Sequence, residues 1–385
     1  MTGERLRPQH LEHRRVVVKV GSNVLTAGTD QLDARAMAAI AEQIGALCAR
    51  GGQVVLVTSG AIAAGRHRVG ASMNDGVLRP RDVHSRQVLA AIGQSRLMAL
   101  WDELFEQSNV VIAQALLTRY DLADRLAYLN ARNTLLGLLD IGVVPIVNEN
   151  DVVSVEEIAA SAIGDNDNLS AHVATLIDAD LLLILTDIAG LYTADPARDP
   201  AARLIERVER VDDATEQAAR GAPGARGTGG MLTKVQAARI ATQSGTHVVL
   251  AHGLAEDVVL RAASGEPVGT HFLPTGDRME SRLRYLLSGL QARGRIVIDD
   301  GAALALLRAS VSLLPAGVVE CNGDFKRGDV VQVVTRDGRT VARGIVNYTS
   351  SEVERIRGKH SDQIIAVLGY EYGEEIVHRN NMVIV

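Results

Sequence analysis

Two lysines are the most informative residues for chemistry in this chain. Only four of its 40 lysines and arginines are lysine, and the first 290 residues contain just Lys19 and Lys234. Each lies beside small residues, in KVGS (19–22) and GTGGMLTK (227–234). An ammonium on a flexible stem near backbone N–H groups suits a phosphate, and a guanidinium fork does not replace it. The pattern indicates two phosphate-binding lysines, with chance and codon bias as the alternative.

Three loops could bind an anion. In KVGS the N–H groups of Gly21 and Ser22 are candidate donors, and TSGAIAAG (58–65) puts small residues where a helix N-terminus would favour a carboxylate or phosphate. GTGGMLTK resembles a Walker A loop but fails its pattern, because Thr233 precedes the lysine and Val235 follows it. Its glycines could still wrap phosphates over a site. An ordinary turn or surface loop is the alternative at each position.

Carboxylates and carboxamides cluster in NEND (148–151) and GDNDN (164–168). The spacing does not fit an EF-hand loop, which needs alternating acidic residues and a glutamate at position 12. Asp167 or Asn168 is predicted to be the N-cap of a helix that begins at Leu169. Four polar residues exceed what one cap requires, so the segment is also a candidate site.

Phosphoryl transfer accounts best for this combination of residues. No serine–histidine–acid triad is visible, and the ten histidines show no metal-ligand spacing. Lysines, anion loops and carboxamides can position phosphates and neutralise their charge, which is the main work of such catalysis. If the acceptor is a carboxylate, it is already ionised and needs no general base.

The pattern of apolar residues predicts a parallel α/β domain followed by a small β-rich domain. Strands are expected at 15–20, 53–60, 110–118, 142–151, 180–187 and 246–253, and helices at 34–49, 85–107, 125–139, 169–177 and 231–243. Unbroken Val, Ile and Leu strands separated by helices are typical of a sheet covered on both faces, with ligands at its carboxyl edge. Short strands and Gly-Asp turns follow from 294–299 onward, with a helix near 351–357. We place the domain boundary at 290/291.

Composition excludes several functional classes. Hydrophobic residues make up 47% of the 385, so the chain can bury a core. The net charge of −6 argues against a whole-chain nucleic-acid binder. Two cysteines suggest neither a disulfide framework nor a zinc site, and no apolar run reaches a membrane span. We expect a cytoplasmic protein that does not interact with membranes.

Motifs along nearly the whole chain resemble the amino-acid kinase family, and within it the bacterial glutamate kinases. They are VVKVGSNVLT, VTSGAIAAGR, VLAAIGQSR, LNARNTL, VPIVNENDVV, GDNDNLSA, LTDIAGLYTADP, GTGGMLTK and LGYEYG. The resemblance implies a three-layer αβα sandwich around a mostly parallel sheet. SLLPAGV and FKRGDVVQV resemble a PUA domain, which implies that residues 291–385 form such a domain after a catalytic domain at 1–290.

The resemblance also implies an activity and a set of site residues. The activity is ATP- and Mg²⁺-dependent phosphorylation of the L-glutamate γ-carboxylate, which opens proline biosynthesis, with proline as feedback inhibitor and a homo-oligomer as the expected assembly. Lys19, Lys234 and Asp167 would be catalytic, with no protein-held metal: the lysines would stabilise charge on the transferred phosphoryl group, and Asp167 would organise the lysines. Glutamate would contact Ser59, Asp151 and Asn166. The ATP contacts would be Lys19, Thr186, Asp187, Thr228, Gly229, Gly230, Met231, Leu232, Thr233 and Lys234.

Two alternatives remain open at this point. Another acid, such as aspartate or N-acetylglutamate, could be the acceptor. The C-terminal domain could bind RNA, although residues 292–385 carry 12 basic and 12 acidic residues, and this balance argues against RNA binding as the main role. The segment 71–85 looks longer than the family pattern, which leaves the strength of regulation open.

Overall fold

The computed structural model describes residues 11–70, 82–153, 165–196, 198–220, 230–276, 292–309 and 311–384. Two compact units are present, one built mainly from residues before 277 and the other mainly from residues after 291. The boundary predicted at 290/291 lies outside the described residues and stays a prediction. Most of the segment 71–85 and the glycine-rich residues 221–229 also lie outside the described residues.

Eight strands and ten helices are described before residue 277. The strands are β1 (Arg15–Val20), β2 (Gln53–Thr58), β3 (Ile112–Leu117), β4 (Val144–Glu149), β5 (Leu181–Thr186), β6 (Arg207–Val208), β7 (His247–His252) and β8 (Thr270–Phe272). The helices are α1 (Ser22–Leu25), α2 (Ala34–Ala49), α3 (Ala61–Val69), α4 (Val83–Glu106), α5 (Arg119–Ala123), α6 (Arg125–Asp140), α7 (Asp165–Leu176), α8 (Asp213–Arg220), α9 (Met231–Gln243) and α10 (Val258–Ala263).

These strands form one sheet in the order β3-β4-β2-β1-β5-β7-β8-β6. Every neighbouring pair is parallel except β7 and β8. Val20 pairs with Thr58 on one side and with Leu185 on the other, so β1, β2 and β5 end at the same edge. Segments that follow these strands therefore converge there, as expected for a ligand site in a parallel sheet.

Helices cover both faces of the sheet. Val16 and Val18 belong to a core with residues of α2 and α4, whereas the alternate residue Val17, on the other face, is also fully buried. On that side α7 contacts β1 and β5. Burial on both faces explains why β4 and β5 are buried at every position. The predicted three-layer α/β architecture is confirmed.

The start of α7 differs from the sequence-based expectation. The helix already includes Asp165, whereas the prediction began it at Leu169. Asp167 and Asn168 are therefore inside the helix, and the prediction that one of them is its N-cap is wrong. Gly, Asp and Asn favour caps and turns, so the sequence pattern did not predict a helix here. The helix is instead stabilised by its packing against α9 and the sheet.

Helices α3 and α4 touch backbone to backbone at two glycines. A Cβ added at Gly93 would lie 1.8 Å from the carbonyl oxygen of Ala61, and one added at Gly65 would lie 2.0 Å from that of Leu89. Neither neighbour is the movable end of a side chain. Only glycine allows this approach, which fixes the start of α3 directly after the Ser59–Gly60 turn.

The second unit is a five-stranded sheet with short helices. Its elements are β9 (Gly294–Ile298), α11 (Asp300–Ala309), β10 (Val318–Gly323), β11 (Val330–Thr335), β12 (Thr340–Ile345), α12 (Ser350–Ile356), α13 (Ile364–Leu368) and β13 (Met382–Ile384). The strand order is β10-β9-β11-β12-β13, and only β9 and β11 run parallel. Thr349 and Glu352 form a capping box at α12. Among the described helices, none combines the length and apolar content of a membrane span.

Candidate active site

Lys19 lies near the carboxyl end of β1, between Val57 of β2 and Ile184 of β5. Its neighbours in the strand are apolar and buried, and the Lys19 side chain is only 6% exposed. A charge in such a position requires a partner. The ammonium nitrogen lies 2.5 Å from Oδ1 of Asp167.

Asp167 joins the two lysines. It projects from the first turns of α7, is fully buried, and its second oxygen lies 3.2 Å from the ammonium nitrogen of Lys234. Thr233 donates its hydroxyl to the same oxygen at 2.7 Å. Lys234 and Thr233 belong to the first turn of α9, which packs against α7. Two ammonium groups 215 positions apart in the chain therefore share one carboxylate.

The electrostatics of this cluster keep Asp167 ionised. Burial raises the pKa of its carboxyl, but the positive charges of Lys19 and Lys234, with hydrogen bonds from Lys19 and Thr233, outweigh that effect and lower it from 3.8 to about 2. At neutral pH the cluster thus holds two positive charges against one negative charge. A net positive, water-poor site is suited to a polyanion such as a nucleoside triphosphate.

The loops around the lysines differ in part from expectation. The N–H of Gly21 donates to the carbonyl of Leu185 at 3.2 Å, so the prediction that it is an open anion donor is wrong. Gly230 precedes α9 in an extended conformation, as expected for the entry to a helix N-terminus. Met231 and Leu232 open that helix beside Thr233, whereas Thr228 and Gly229 lie outside the described residues.

A second polar cluster lies around the preceding residue of α7. Asn166 donates its amide to the hydroxyl of Ser59 and to the side-chain oxygen of Asn148, each at 3.2 Å. Asn148, at the end of β4, donates in turn to the side-chain oxygen of Gln94 at 2.8 Å. Two atoms in this cluster, Oδ1 of Asn166 and Nε2 of Gln94, are buried and have no hydrogen-bond partner among the described residues.

The remaining predicted glutamate contact, Asp151, lies in the turn after β4, just past Asn150. The backbone N–H of Asn150 donates to Leu117 of β3 at 3.0 Å, which holds the start of that turn against the sheet. Asp151 is therefore at the same edge as Ser59.

A third group lines a cleft at the carboxyl end of β5. Asp187 accepts hydrogen bonds from the amide of Asn23 at 2.7 Å and from the hydroxyl of Thr186 at 3.0 Å. Burial raises the pKa of Asp187, but these hydrogen bonds hold it below its usual value. The cleft has a volume of ≈ 390 Å³ and is also lined by His252 and Leu254. That volume is typical of small-molecule sites.

Sequence reasoning missed three residues of the site: Asn23, Gln94 and Asn148. Each was visible within a motif, in GSN, GQSR and NEND respectively. Nothing in their local pattern separates a site amide from a surface amide. Only the folded chain brings Asn23 of α1 to Asp187 after β5, and Gln94 of α4 to Asn148 of β4.

Comparison with known families agrees with this fold and site. Residues 14–252 match the amino acid kinase family, and residues 294–368 match the PUA domain. The fold and the lysine–aspartate cluster thus belong to a kinase of the amino acid kinase class, followed by a PUA domain.

Full-length relatives narrow the family further. A glutamate 5-kinase of Dehalococcoides mccartyi is 51% identical over 97% of this chain and 99% of its own length. Those of Herpetosiphon aurantiacus and Shewanella halifaxensis are 48% and 47% identical, over 96% and 97% of this chain and 98% of their own lengths. The chain belongs to the glutamate 5-kinase family.

Proposed function

We propose that this chain transfers the γ-phosphoryl group of ATP to the γ-carboxylate of L-glutamate and forms L-glutamyl 5-phosphate, the first step of proline biosynthesis. Family membership supports the reaction class and the substrate. The observation that carries the proposal is the buried carboxylate of Asp167, which holds Lys19 and Lys234 together at the sheet edge.

The lysine cluster is the proposed phosphate site. As the phosphoryl group moves, negative charge spreads over its oxygens, and two fixed ammonium groups in a buried site stabilise that charge. Asp167 contacts no phosphate in this proposal. It holds both ammonium groups in position through its two oxygens, and is therefore a positioning residue.

The cleft beside Asp187 is the proposed nucleoside site. Its volume of ≈ 390 Å³ suits a nucleoside, and the Asp187 carboxylate can accept hydroxyl hydrogens. Thr186 and the start of α9 at Gly230–Lys234 would hold the phosphates between this cleft and Lys19. Mg²⁺, which neutralises charge on the β- and γ-phosphates, would arrive with the nucleotide and keep most of its waters.

The polar cluster around Asn166 is the proposed glutamate site. Oδ1 of Asn166 is a buried acceptor and Nε2 of Gln94 a buried donor, and a ligand that satisfied both would regain the free energy their burial costs. An amino acid carries both complementary groups: its α-ammonium can donate to the Asn166 oxygen, and its α-carboxylate can accept from the Gln94 nitrogen. Ser59 and Asp151 would complete the site, and Asn166, one residue before Asp167, would set the acceptor beside the lysines.

Two finer proposals concern regulation and assembly. Proline carries the same ammonium and carboxylate pair, so we propose that it inhibits by occupying the amino-acid end of this site. Large apolar side chains at Val111, Tyr120 and Ile141 are more than 60% exposed close to β3, the edge strand of the sheet. Exposed apolar surface of this kind marks interfaces, so we propose a homo-oligomer. RNA binding is not proposed as the main role of the PUA domain.

A hydroxamate assay with ATP and Mg²⁺ tests the proposal, with glutamate, aspartate and N-acetylglutamate as acceptors and with or without proline. Glutamate should be preferred and proline inhibitory. Lys234→Ala should lower kcat by several orders of magnitude, whereas Lys326→Ala, an exposed lysine of the second unit, should leave it unchanged. Asn166→Ala should mainly raise the KM for glutamate. A folded Lys234→Ala enzyme with near-normal turnover would refute the assignment.

A further inference from the structure

Three histidines from distant parts of the sequence meet at the edge of the main sheet opposite the lysines. His13 lies two residues before β1, His247 is the first residue of β7, and His271 is the middle residue of β8. Each offers one ring nitrogen such that the three nitrogens lie within 4.8 Å of one another. Their ring centroids are 5.0 Å apart for His13 and His247, and 5.4 Å for His247 and His271.

Backbone hydrogen bonds hold all three positions. The N–H of His13 donates to Ala263 at 3.0 Å, and the next two N–H groups donate to the Asp180 carboxylate at 2.9 and 2.7 Å. The N–H of His247 donates to the carbonyl of Asp180 at 3.1 Å. His271 faces Val249 in the antiparallel pair of β7 and β8. The three Cβ positions are therefore set by the sheet rather than by a loose loop.

The chemical state of the cluster suits metal ligation. Burial, followed by the neighbouring His247, lowers the pKa of His271, which favours the neutral imidazole that binds metals. Nε2 of His271 is buried and makes no hydrogen bond within the described part of the chain. The Glu12 carboxylate raises the same pKa and the Arg207 guanidinium lowers it, so charges of both signs lie within electrostatic reach of His271.

We propose that His13, His247 and His271 form a zinc-binding site. Imidazole nitrogens are preferred ligands of Zn²⁺, with Zn–N distances of about 2.0–2.1 Å and tetrahedral coordination. That geometry places ligand nitrogens about 3.4 Å apart, so the rings need to close by little more than an ångström from their upper separation of 4.8 Å. Rotation of the half-buried His247 and His271 side chains supplies this movement, and water or Glu12 takes the fourth position.

The role of the site is structural. A bound ion ties the segment before β1 to β7 and β8, which are separated from β1 in the sheet by β5. Histidine spacing in the sequence could not reveal it, because the three residues lie 234 and 24 positions apart. Kinase turnover is not expected to need the ion, since the lysine cluster lies at the other end of the strands.

The test uses untagged full-length protein in excess Mg²⁺, so that neither a purification tag nor the nucleotide site takes up the probe. Titration with Co²⁺ should give the visible absorption of a tetrahedral site, and calorimetry with Zn²⁺ should show one equivalent bound. At about 100-fold excess of Zn²⁺ over Kd the melting temperature should rise by about 3–5 °C.

Variants separate this site from weaker surface binding. His271→Ala and His247→Ala should each weaken zinc affinity at least about 10-fold and remove the cobalt spectrum. His360→Ala, an exposed histidine of the second unit, should bind like the parent. Kinase turnover without zinc shows that each variant is folded, and His271→Gln provides a milder substitution. Absence of the one-equivalent binding, or binding undiminished in both alanine variants, would overturn the proposal.

Discussion

The substitution Asp167→Asn tests how the negative charge between the two lysines affects stability and turnover. Asparagine keeps nearly the same shape and can still accept a hydrogen bond from Thr233, which lies 2.7 Å from the carboxylate. The negative charge between Lys19 and Lys234 is lost, although both ammonium groups remain buried. The substitution therefore tests electrostatics with little change in packing.

The magnitude follows from the burial and the pKa. The carboxyl is fully buried, yet its pKa falls from 3.8 to about 2, so folding favours its charged form by about 2 kcal/mol. Because the folded pKa is the lower one, this contribution is present above pH 3.8 and is lost as the pH falls toward 2. Removing one partner of a buried ion pair costs about 3–5 kcal/mol, because the opposite charge stays buried.

We expect Asp167→Asn to lose about 3 kcal/mol of unfolding free energy, a fall of roughly 4–5 °C in melting temperature. The kcat should fall by about 10²–10³, as when a preorganised charge stabiliser is removed. Thermal melts with and without MgATP, together with the hydroxamate assay, measure both effects. The nucleotide phosphates supply negative charge to the same ammonium groups, so MgATP should raise the melting temperature more in the variant than in the parent.

Asp178→Asn is the matched control. Asp178 forms an ion pair with the buried Arg132 at 2.6 Å but lies just before β5, at the edge away from the lysines. It should lower stability and leave kcat nearly unchanged. A folded Asp167→Asn enzyme with parental kcat, or one whose defect lies only in the KM for glutamate, would contradict the role assigned to Asp167.

Two further predictions concern packing and pH. Gly93→Ala should lower the free energy of unfolding in urea by about 1–3 kcal/mol and raise the KM for glutamate, because the added Cβ would lie 1.8 Å from the Ala61 carbonyl oxygen. Gly137→Ala is the control: no atom lies within 4 Å of the added Cβ, so the substitution should stabilise its helix by up to about 1 kcal/mol. Equal effects of the two would show that the α3–α4 contact is not tight. Burial lowers the pKa values of His172 and His271 below 6.5, so the unfolded chain takes up protons first and stability should decline as the pH falls below about 6.5. Urea midpoints in EDTA at pH 7.5, 6.5 and 5.5 measure this, and His271→Gln should flatten the slope; a midpoint that rises on acidification would contradict it.

The fold was predictable because its strands are almost wholly apolar. Helices α2 and α9 begin and end where expected, since an Asp33 cap and a glycine entry mark their starts. The start of α7 could not be predicted from such a signal. Residues 165–168 have low helix propensity, and their helical state depends on contacts with Lys19, Thr233 and Lys234 that exist only in the folded chain.

The same dependence limits what sequence could reveal about the site. Lys19 and Lys234 were identifiable because lysine is scarce in this chain. The residue pattern alone did not reveal their coupling through Asp167, which only the family resemblance implied, because Asp167 lies on a helix that was expected to begin at Leu169 and begins at Asp165. Once Asp167 is inside α7, adjacent residues of one helical turn point toward different partners: Asn166 toward Ser59 and Asn148, Asp167 toward the lysines. The proposed acceptor and phosphate sites are thus one residue apart on a rigid element. A shift of α7 would therefore disturb both sites together. The residues of its first turn are poor helix formers, and the buried ion pairs of Asp167 with the two lysines hold that turn in place.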